Sequence, residues 1–277
     1  MDTAAVPTQQ PLPPAIPSAA GSSPIFRFAY SLGRVEPRSP SLSVEKEIAQ
    51  ALGPNQADDH ERLQRLLADP ANRYLVRSLC WVFSVSGQDA FVVVPADPTD
   101  WALLPQLLRR DNSVRWVDVV IGHFVSSAPG GPCAALGLPV VHFDRLHSFS
   151  PGALLEPLRE LRRAGNDSED RFEEAFEQVF ALADDNLGMA DADRALNYLV
   201  LRYPDLYQLV ADKLSAGQSL DAVRVRPAAI SGARRILDVI FSFVHGTSGL
   251  VSQHFARVDI TEEFPFLVAG LAAYVEH

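Results

Sequence analysis

Arginine and glutamate alternate at Arg34, Glu36 and Arg38 within the segment YSLGRVEPRSPSLSVEKEIAQ, residues 30–50. On a stiff loop bounded by prolines, such a trio either grips a charged ligand or clasps itself as an ion-pair ladder. A second set of charges comes late in the chain. Arg226, Arg234 and Arg235 surround a turn in RPAAISGARR, and Asp259, Glu262 and Glu263 crowd DITEEFPFL. Guanidinium groups around a turn suit a peptide carboxylate or an acidic leader segment, because their planar fork meets a carboxylate at two points. The bland alternatives are a solvated turn for the arginines and a simple cap, by Asp259 or Thr261, for the acids.

HFDRLH supplies a third set. On a strand of period two, His142 and Asp144 share a face, with His147 close by. That outlines acid–base or metal chemistry, against the commoner surface contact of a histidine with an aspartate. Cys80 lies in the apolar run LCWVFSV and reads as a buried thiol. With Cys133 it makes far too few cysteines for a disulfide framework, and thiolate ligation would need two further donors. The sequence carries no nucleophile elbow, no CxxC pair and no phosphate-binding glycine loop; Gly130 and Gly131 lack the helix-opening context such a loop requires. No cofactor and no bound metal are expected.

Bulk composition narrows the partners. The 277 residues are 47% hydrophobic and 21% charged, which is globular and long enough for a sizeable core. A net charge of −10 argues against a nucleic-acid-binding surface, which needs a basic face. Lys46 and Lys213 are the only lysines, so positive charge is almost all arginine, in keeping with an alanine-rich composition. No stretch approaches the ~20 apolar residues of a membrane span, and no basic-then-apolar signal opens the chain. The expectation is a cytoplasmic protein with no membrane and no nucleic-acid partner.

Those side chains need elements to hold them. Residues 1–24, rich in proline, alanine, serine and threonine, cannot bury enough surface to order themselves and are expected to form a disordered tail or linker. The folded body, residues 25–277, opens with a short strand, FRFAYSL. Val44, Ile48 and Leu52 then recur at four-residue spacing on a helix from about Ser41 to Leu52. Asp58 and Glu61 start a second helix, which Pro70 stops. YLVRSLCWVFSV and AFVVVPA flank SGQD as a hairpin, and Asp97 to Thr99 cap a helix to about Arg110. VRWVDVVIGHFV and LPVVHF come next as strands.

The middle is helical: Phe172, Phe176 and Phe180 repeat every four residues, and DADRALNYLVLRY and PDLYQLVADKL break at Pro204. AVRVRP, ARRILDVIFSFVHG and SQHFARVDIT return to strands, and PFLVAGLAAYV closes as a short helix or extended segment. Strand groups at both ends of a central helical block predict an α+β fold with a mixed or antiparallel sheet. Two subdomains would divide near 150–165.

YSLGRVEPRSPSLSVEKEIAQ, NRYLVRSLCWVFSV, VDVVIG, ADADRALNYLVLRYPDLY and VRPAAISGARRILDVIFSF…FARVDITEEFPFLV succeed one another between about Phe26 and Val268. In that order they resemble the C-terminal domain of unknown function of cyanobactin maturation proteases of the PatG/PatA type, known from patellamide biosynthesis. In that family the domain stands behind protease or macrocyclase domains in pathways that process ribosomally made peptides. The resemblance implies an accessory or scaffold module of ribosomally synthesised, post-translationally modified peptide biosynthesis, with a precursor peptide or other pathway enzymes as partners. A homodimer is among the expected assemblies. The alternative is an enzyme that modifies a precursor peptide through an arginine/carboxylate site. Because the charged opening and DITEEFPFL both fall in the resembling parts, they are expected to meet in one polar cluster. Its expected members are Arg34, Glu36, Arg38, Glu45, Arg235, Asp259 and Glu262, serving either a structural ion network or a binding site.

Overall fold

Two sheets organise the chain, one closed and one open. The computed structural model describes residues 28–53, 60–108, 116–126, 131–155, 169–229 and 232–275. The expected tail at 1–24, the capping Asp58 and most of the expected division at 150–165 lie outside the described residues. Strands β1 (Phe28–Arg38), β2 (Cys80–Val85), β3 (Gln88–Pro95), β4 (Val117–Ser126) and β5 (Val140–Phe149) close into a barrel in the order β1-β2-β3-β5-β4. Strands β6 (Gln218–Pro227), β7 (Ile236–His245), β8 (Val251–Asp259) and β9 (Phe266–Ala273) form an open sheet in sequence order. Helices α1 (Leu42–Leu52), α2 (His60–Ala68) and α3 (Arg73–Ser78) belong to the barrel half. Helices α4 (Glu169–Ala181), α5 (Asp191–Arg202) and α6 (Pro204–Ser215) join the two sheets. The fold is α+β, with every strand pair antiparallel except β3 beside β5.

Alternation along β1 divides the core in two. Ala29 and Val35 face a cluster with Phe83, Phe91, Val120 and Phe143 inside the barrel. Tyr30 and Leu32, on the opposite face, join Phe172, Phe176, Phe180, Leu199, Tyr207 and the inner face of β7. The four-residue phenylalanine stripe of α4 is therefore the plug between barrel and open sheet, and Phe176 stacks on both Phe180 and Tyr207 at 5.6 Å. Burying each such ring stabilises by about 1.5–3 kcal/mol.

β1 changes partner midway. Phe28 to Gly33 pair with β4, and Arg34 to Arg38 pair with β2. The handover leaves the Val35 amide without a ladder partner, and the buried Asp118 carboxylate accepts from it at 2.6 Å. The open edge of Phe28–Gly33 is covered by the segment before α5. Tyr30 donates its amide to Gly188 O and accepts from Asn197 Nδ2, both at 2.9 Å, while Ser31 Oγ reaches Leu187 O at 2.7 Å. Gly188, with φ of 69°, passes so close to Tyr30 and Ser31 that a Cβ would fall 2.3 Å from Tyr30 O.

Several expectations need correction. The stretch 34–38 is the second half of β1 and no loop: pairing with β2 extends the strand beyond FRFAYSL. YLVRS lies in α3, so the hairpin begins at Cys80, though its turn is Ser86–Gly87 as SGQD implied, both with positive φ (48° and 80°). Asp97 does act as a cap, through Thr99 N, but the segment beyond it forms two 3-10 turns, Pro98–Ala102 and Leu104–Leu108, in place of one long helix. PFLVAGLAAYV takes its extended option as β9. Cys80 is no free thiol: it is bonded to Cys133, 5.7 Å away between Cα atoms, joining β2 to the 3-10 turn before β5.

Candidate functional site

The residues singled out by sequence fall into two clusters in place of one. Arg34, Glu36 and Arg38 alternate along β1 and so share a face, with Glu36 between the arginines at 3.7 and 3.8 Å and Arg38 also 3.5 Å from Asp89. These side chains are about half exposed, where such pairs contribute only ~0–1 kcal/mol. Glu45 lies in the first turn of α1, where the helix dipole favours an acid.

The second cluster lies at the opposite end of β1. Arg235 holds Asp191 with one guanidinium nitrogen 3.0 and 2.8 Å from the two carboxylate oxygens, and its amide donates to Thr261 Oγ1 at 2.8 Å. Asp259, 2% exposed, pairs with Arg234 and accepts from the Thr261 amide at 2.8 Å. Burial works to raise its pKa, yet the Thr261 hydrogen bonds and Arg234 outweigh it and hold the carboxyl below its usual value. Glu262 contributes its backbone carbonyl, while its side chain stays exposed. The Phe28 ring lies 5.2 Å under Arg194 in this cluster, whereas Glu36 is eight residues further along an extended strand. At ~3.3 Å per residue the two sets are separated by roughly 26 Å of strand.

Arg194 organises the second cluster, and nothing in the sequence singled it out. It is 1% exposed and donates to the carbonyls of Ile260 (3.0 Å), Glu262 and Glu263 (3.1 Å). Burial lowers its pKa to about 10, against the pull of Asp191. By fixing the β8–β9 loop, Arg194 sets Glu263 against the barrel. There Phe28, His123 and His142 form one cross-strand row over β1, β4 and β5. Between Gly122 and Ile121 the β4–β5 register slips, leaving Asp144 as the extra residue of β5, and such a bulge re-aims its side chain. Asp144 Oδ2 meets His123 Nδ1 at 3.2 Å, and the two imidazoles stand edge to face at 5.8 Å.

Glu263 completes the group: its carboxyl lies near enough to Asp144 to interact with it, and its buried Oε1 finds no hydrogen-bond partner among the described residues. Burial, then the Asp144 charge, push the Glu263 carboxyl above its ordinary value, while His123 and Arg145 pull it back. Burial and the neighbouring His123 lower His142. A carboxyl whose protonated form is favoured by burial, set near a second carboxyl and two imidazoles, places a proton donor beside groups that can accept a proton. That arrangement is capable of acid–base chemistry. The HFDRLH signal thus pointed to the right strand, but the partner of Asp144 is His123 from β4, with His142 alongside; His147 lies apart, its pKa lowered by burial and by Arg202. No group of three or more His, Cys, Asp or Glu side chains placed to hold a metal occurs among the described residues.

A cavity of about 500 Å³ opens where β1 changes partners. Leu32, Val117, Phe180 and Trp116 form its apolar wall, and Arg34, Ser84, Ser86 and Asp184 are its polar lining residues. Ser86 Oγ donates to Asp184 O at 2.6 Å, tying the hairpin turn to the end of α4. The indole N–H of Trp116 is buried and finds no acceptor among the described residues. A volume in the ~300–1,000 Å³ range with a few convergent polar groups is a feature that ligand pockets share.

Two family models match the chain in succession: "PatG Domain" over residues 28–114 and "PatG C-terminal" over residues 163–274. Among curated proteins no sequence matches. A solved structure described as "PatG Domain of Unknown Function" is similar over 90% of this chain and 99% of its own, with a TM-score of 0.67 and 18% identity, a likeness of fold. With both models matched in order, the first over the opening three barrel strands and the second over helices α4–α6 and the open sheet, the chain belongs to the PatG-type domains of unknown function.

Proposed function

We propose that this chain is an accessory module of cyanobactin-type peptide biosynthesis that holds a ribosomally made precursor peptide, or a partner enzyme, without transforming it. Family membership supports the pathway. The observation that carries the binding role is the cavity at the barrel seam, where Arg34, Ser84 and Ser86 line the space beside an apolar wall. Several other charges are engaged within the fold: Arg235 with Asp191, Arg234 with Asp259, Arg257 with Asp238 and Arg194 with loop carbonyls. A cytoplasmic location and a homodimer belong to the same reading. No helix among the described residues is long and apolar enough to cross a membrane.

The test is incubation of the protein with a synthetic precursor peptide, then co-elution on size exclusion and mass spectrometry. A complex containing peptide of unchanged mass is expected. A change in peptide mass would transfer the assignment to an enzyme, a reading favoured by the Asp144–Glu263–His123 group. In that case Glu263→Gln, which removes the ionisable carboxyl, would abolish the change.

A further inference from the structure

We infer that the outer edge of β6 docks an extended acidic segment of another protein, which joins the open sheet as a further strand with its carboxylates on the arginine face. None of the residues lining the seam cavity lies on β6, so the two roles stand or fall separately.

A strand at the edge of a sheet presents backbone donors and acceptors that another strand can fill. The order β6-β7-β8-β9 makes β6 and β9 the two edges of the open sheet. β9 is capped: its Leu267 and Leu271 amides donate to the hydroxyls of Tyr198 and Tyr203, at 3.1 and 2.9 Å. β6 has no such cover. It pairs with β7 from Gln218 to Pro227, and between Ala222 and Arg226 no hydrogen bond from another described residue reaches the opposite side of its backbone. Only another strand matches that row of groups, and in strand addition the main chain supplies affinity while alternate side chains supply selectivity.

Alternation fixes what the added strand must carry. Val223 and Val225 turn toward the helices and pack against the core they share. Arg224 and Arg226 turn to the other face, opposite Ile240 and Asp238 of β7, and both are exposed. Asp238 is 3% exposed, and Arg257 of β8 holds both of its carboxylate oxygens, at 2.6 and 3.2 Å. The acid across the ladder from Arg226 is therefore already engaged. Arg226 lies instead over the Tyr274 ring, 4.8 Å from its centroid, and neither it nor Arg224 has a carboxylate partner among the described residues. Asp221 falls outside this window, as the extra residue of the bulge between Leu220 and Ala222.

Charges opposite one another on neighbouring strands stabilise when unlike and destabilise when alike. Charged residues commonly guard an exposed edge, and here the guard is also a filter. Two arginines on one face repel a strand that is basic at alternate positions, and they repel a second β6 laid with Arg224 opposite Arg224 or Arg226. A strand with acids at alternate positions and apolar residues between them meets the arginines on one face and extends the valine row on the other.

The experiment titrates a fluorescein-labelled, C-terminally amidated peptide, Ser-Glu-Val-Glu-Val-Glu-Ser, into the full chain and follows fluorescence anisotropy. Replacing its glutamates by glutamine, or using the protein variant Arg224→Gln/Arg226→Gln, is expected to weaken binding roughly five- to ten-fold, as two cross-strand charge pairs imply. Two further peptides are N-methylated, one at the glutamates and one at the valines. One should bind as the parent does and the other should fail, because only alternate amides of an added strand face the ladder. Both arginines are exposed, so the double variant is expected to keep its melting temperature. A second variant, Arg224→Glu, should prefer the peptide carrying lysine in place of glutamate. Equal binding of the glutamate and glutamine peptides, indifference to both N-methylations, or no binding at about 1 mM peptide overturns the inference. A dimer in sedimentation velocity whose population changes with Arg224→Glu overturns it in favour of a second copy on this edge. None of these outcomes bears on the seam cavity, which the precursor-peptide experiment tests.

Discussion

Arg194 holds the carbonyls of the loop that carries Glu263 to the barrel. The Glu263 carboxyl, raised from the ordinary 4.5 by burial and then by Asp144, is favoured in its protonated form by the fold. A group raised on folding contributes stability that is present below its unfolded pKa and is lost as pH climbs through the folded value. The wild-type protein is therefore expected to lose stability as pH rises from about 4.5 through the folded pKa of Glu263, relative to Glu263→Gln, which keeps a donor but cannot ionise. Melting temperatures of the two proteins at pH 5 and pH 8 check this: the variant's relative advantage is larger at pH 8, and a pH-independent difference would refute it. Part of this group was legible. HFDRLH and DITEEFPFL drew attention to Asp144 and Glu263, but neither named His123, which sits in the apolar run of another strand. Arg194 escaped notice because an arginine on an amphipathic helix ordinarily points to solvent, and only the tertiary placement of Ile260 to Glu263 gives it carbonyls to bind.

At the scale of elements, local pattern was a sound guide wherever one face is buried. The phenylalanine stripe of α4 and the Val44–Ile48–Leu52 face of α1 come directly from helical spacing. Pattern failed where pairing partners decide. Pro37 and the charges around it read as loop, yet β1 continues through them because Arg34–Arg38 have β2 as a partner. The Cys80–Cys133 bond was illegible for the same reason: its cysteines lie 53 residues apart and meet only when the barrel closes. By loop-closure entropy, a bridge spanning 53 residues contributes about 4 kcal/mol. Cys133→Ser is expected to lose about that much in urea denaturation. Protein denatured without reductant should show no titratable thiol; two thiols per chain would mean that the bond does not form.

For the whole molecule, the α+β class and the order of elements could be read from sequence, but the barrel could not. Its strand order, β1-β2-β3-β5-β4, depends on the parallel contact of β3 with β5 and on β1 serving two partners, neither of which has a local signature. The same handover creates the seam cavity, so the proposed binding role is a property of the assembled barrel and of α4 packed on it. The two charged sets accordingly have separate duties: the β1 set borders the cavity through Arg34, and the Arg194–Arg235 set fixes the β8–β9 loop. Hydrogen exchange with and without bound precursor peptide tests that division most directly. Protection on binding is expected around residues 31–34, 84–87 and 180–184, where the cavity lies. Protection confined to residues 260–266, with the seam unchanged, would contradict the account.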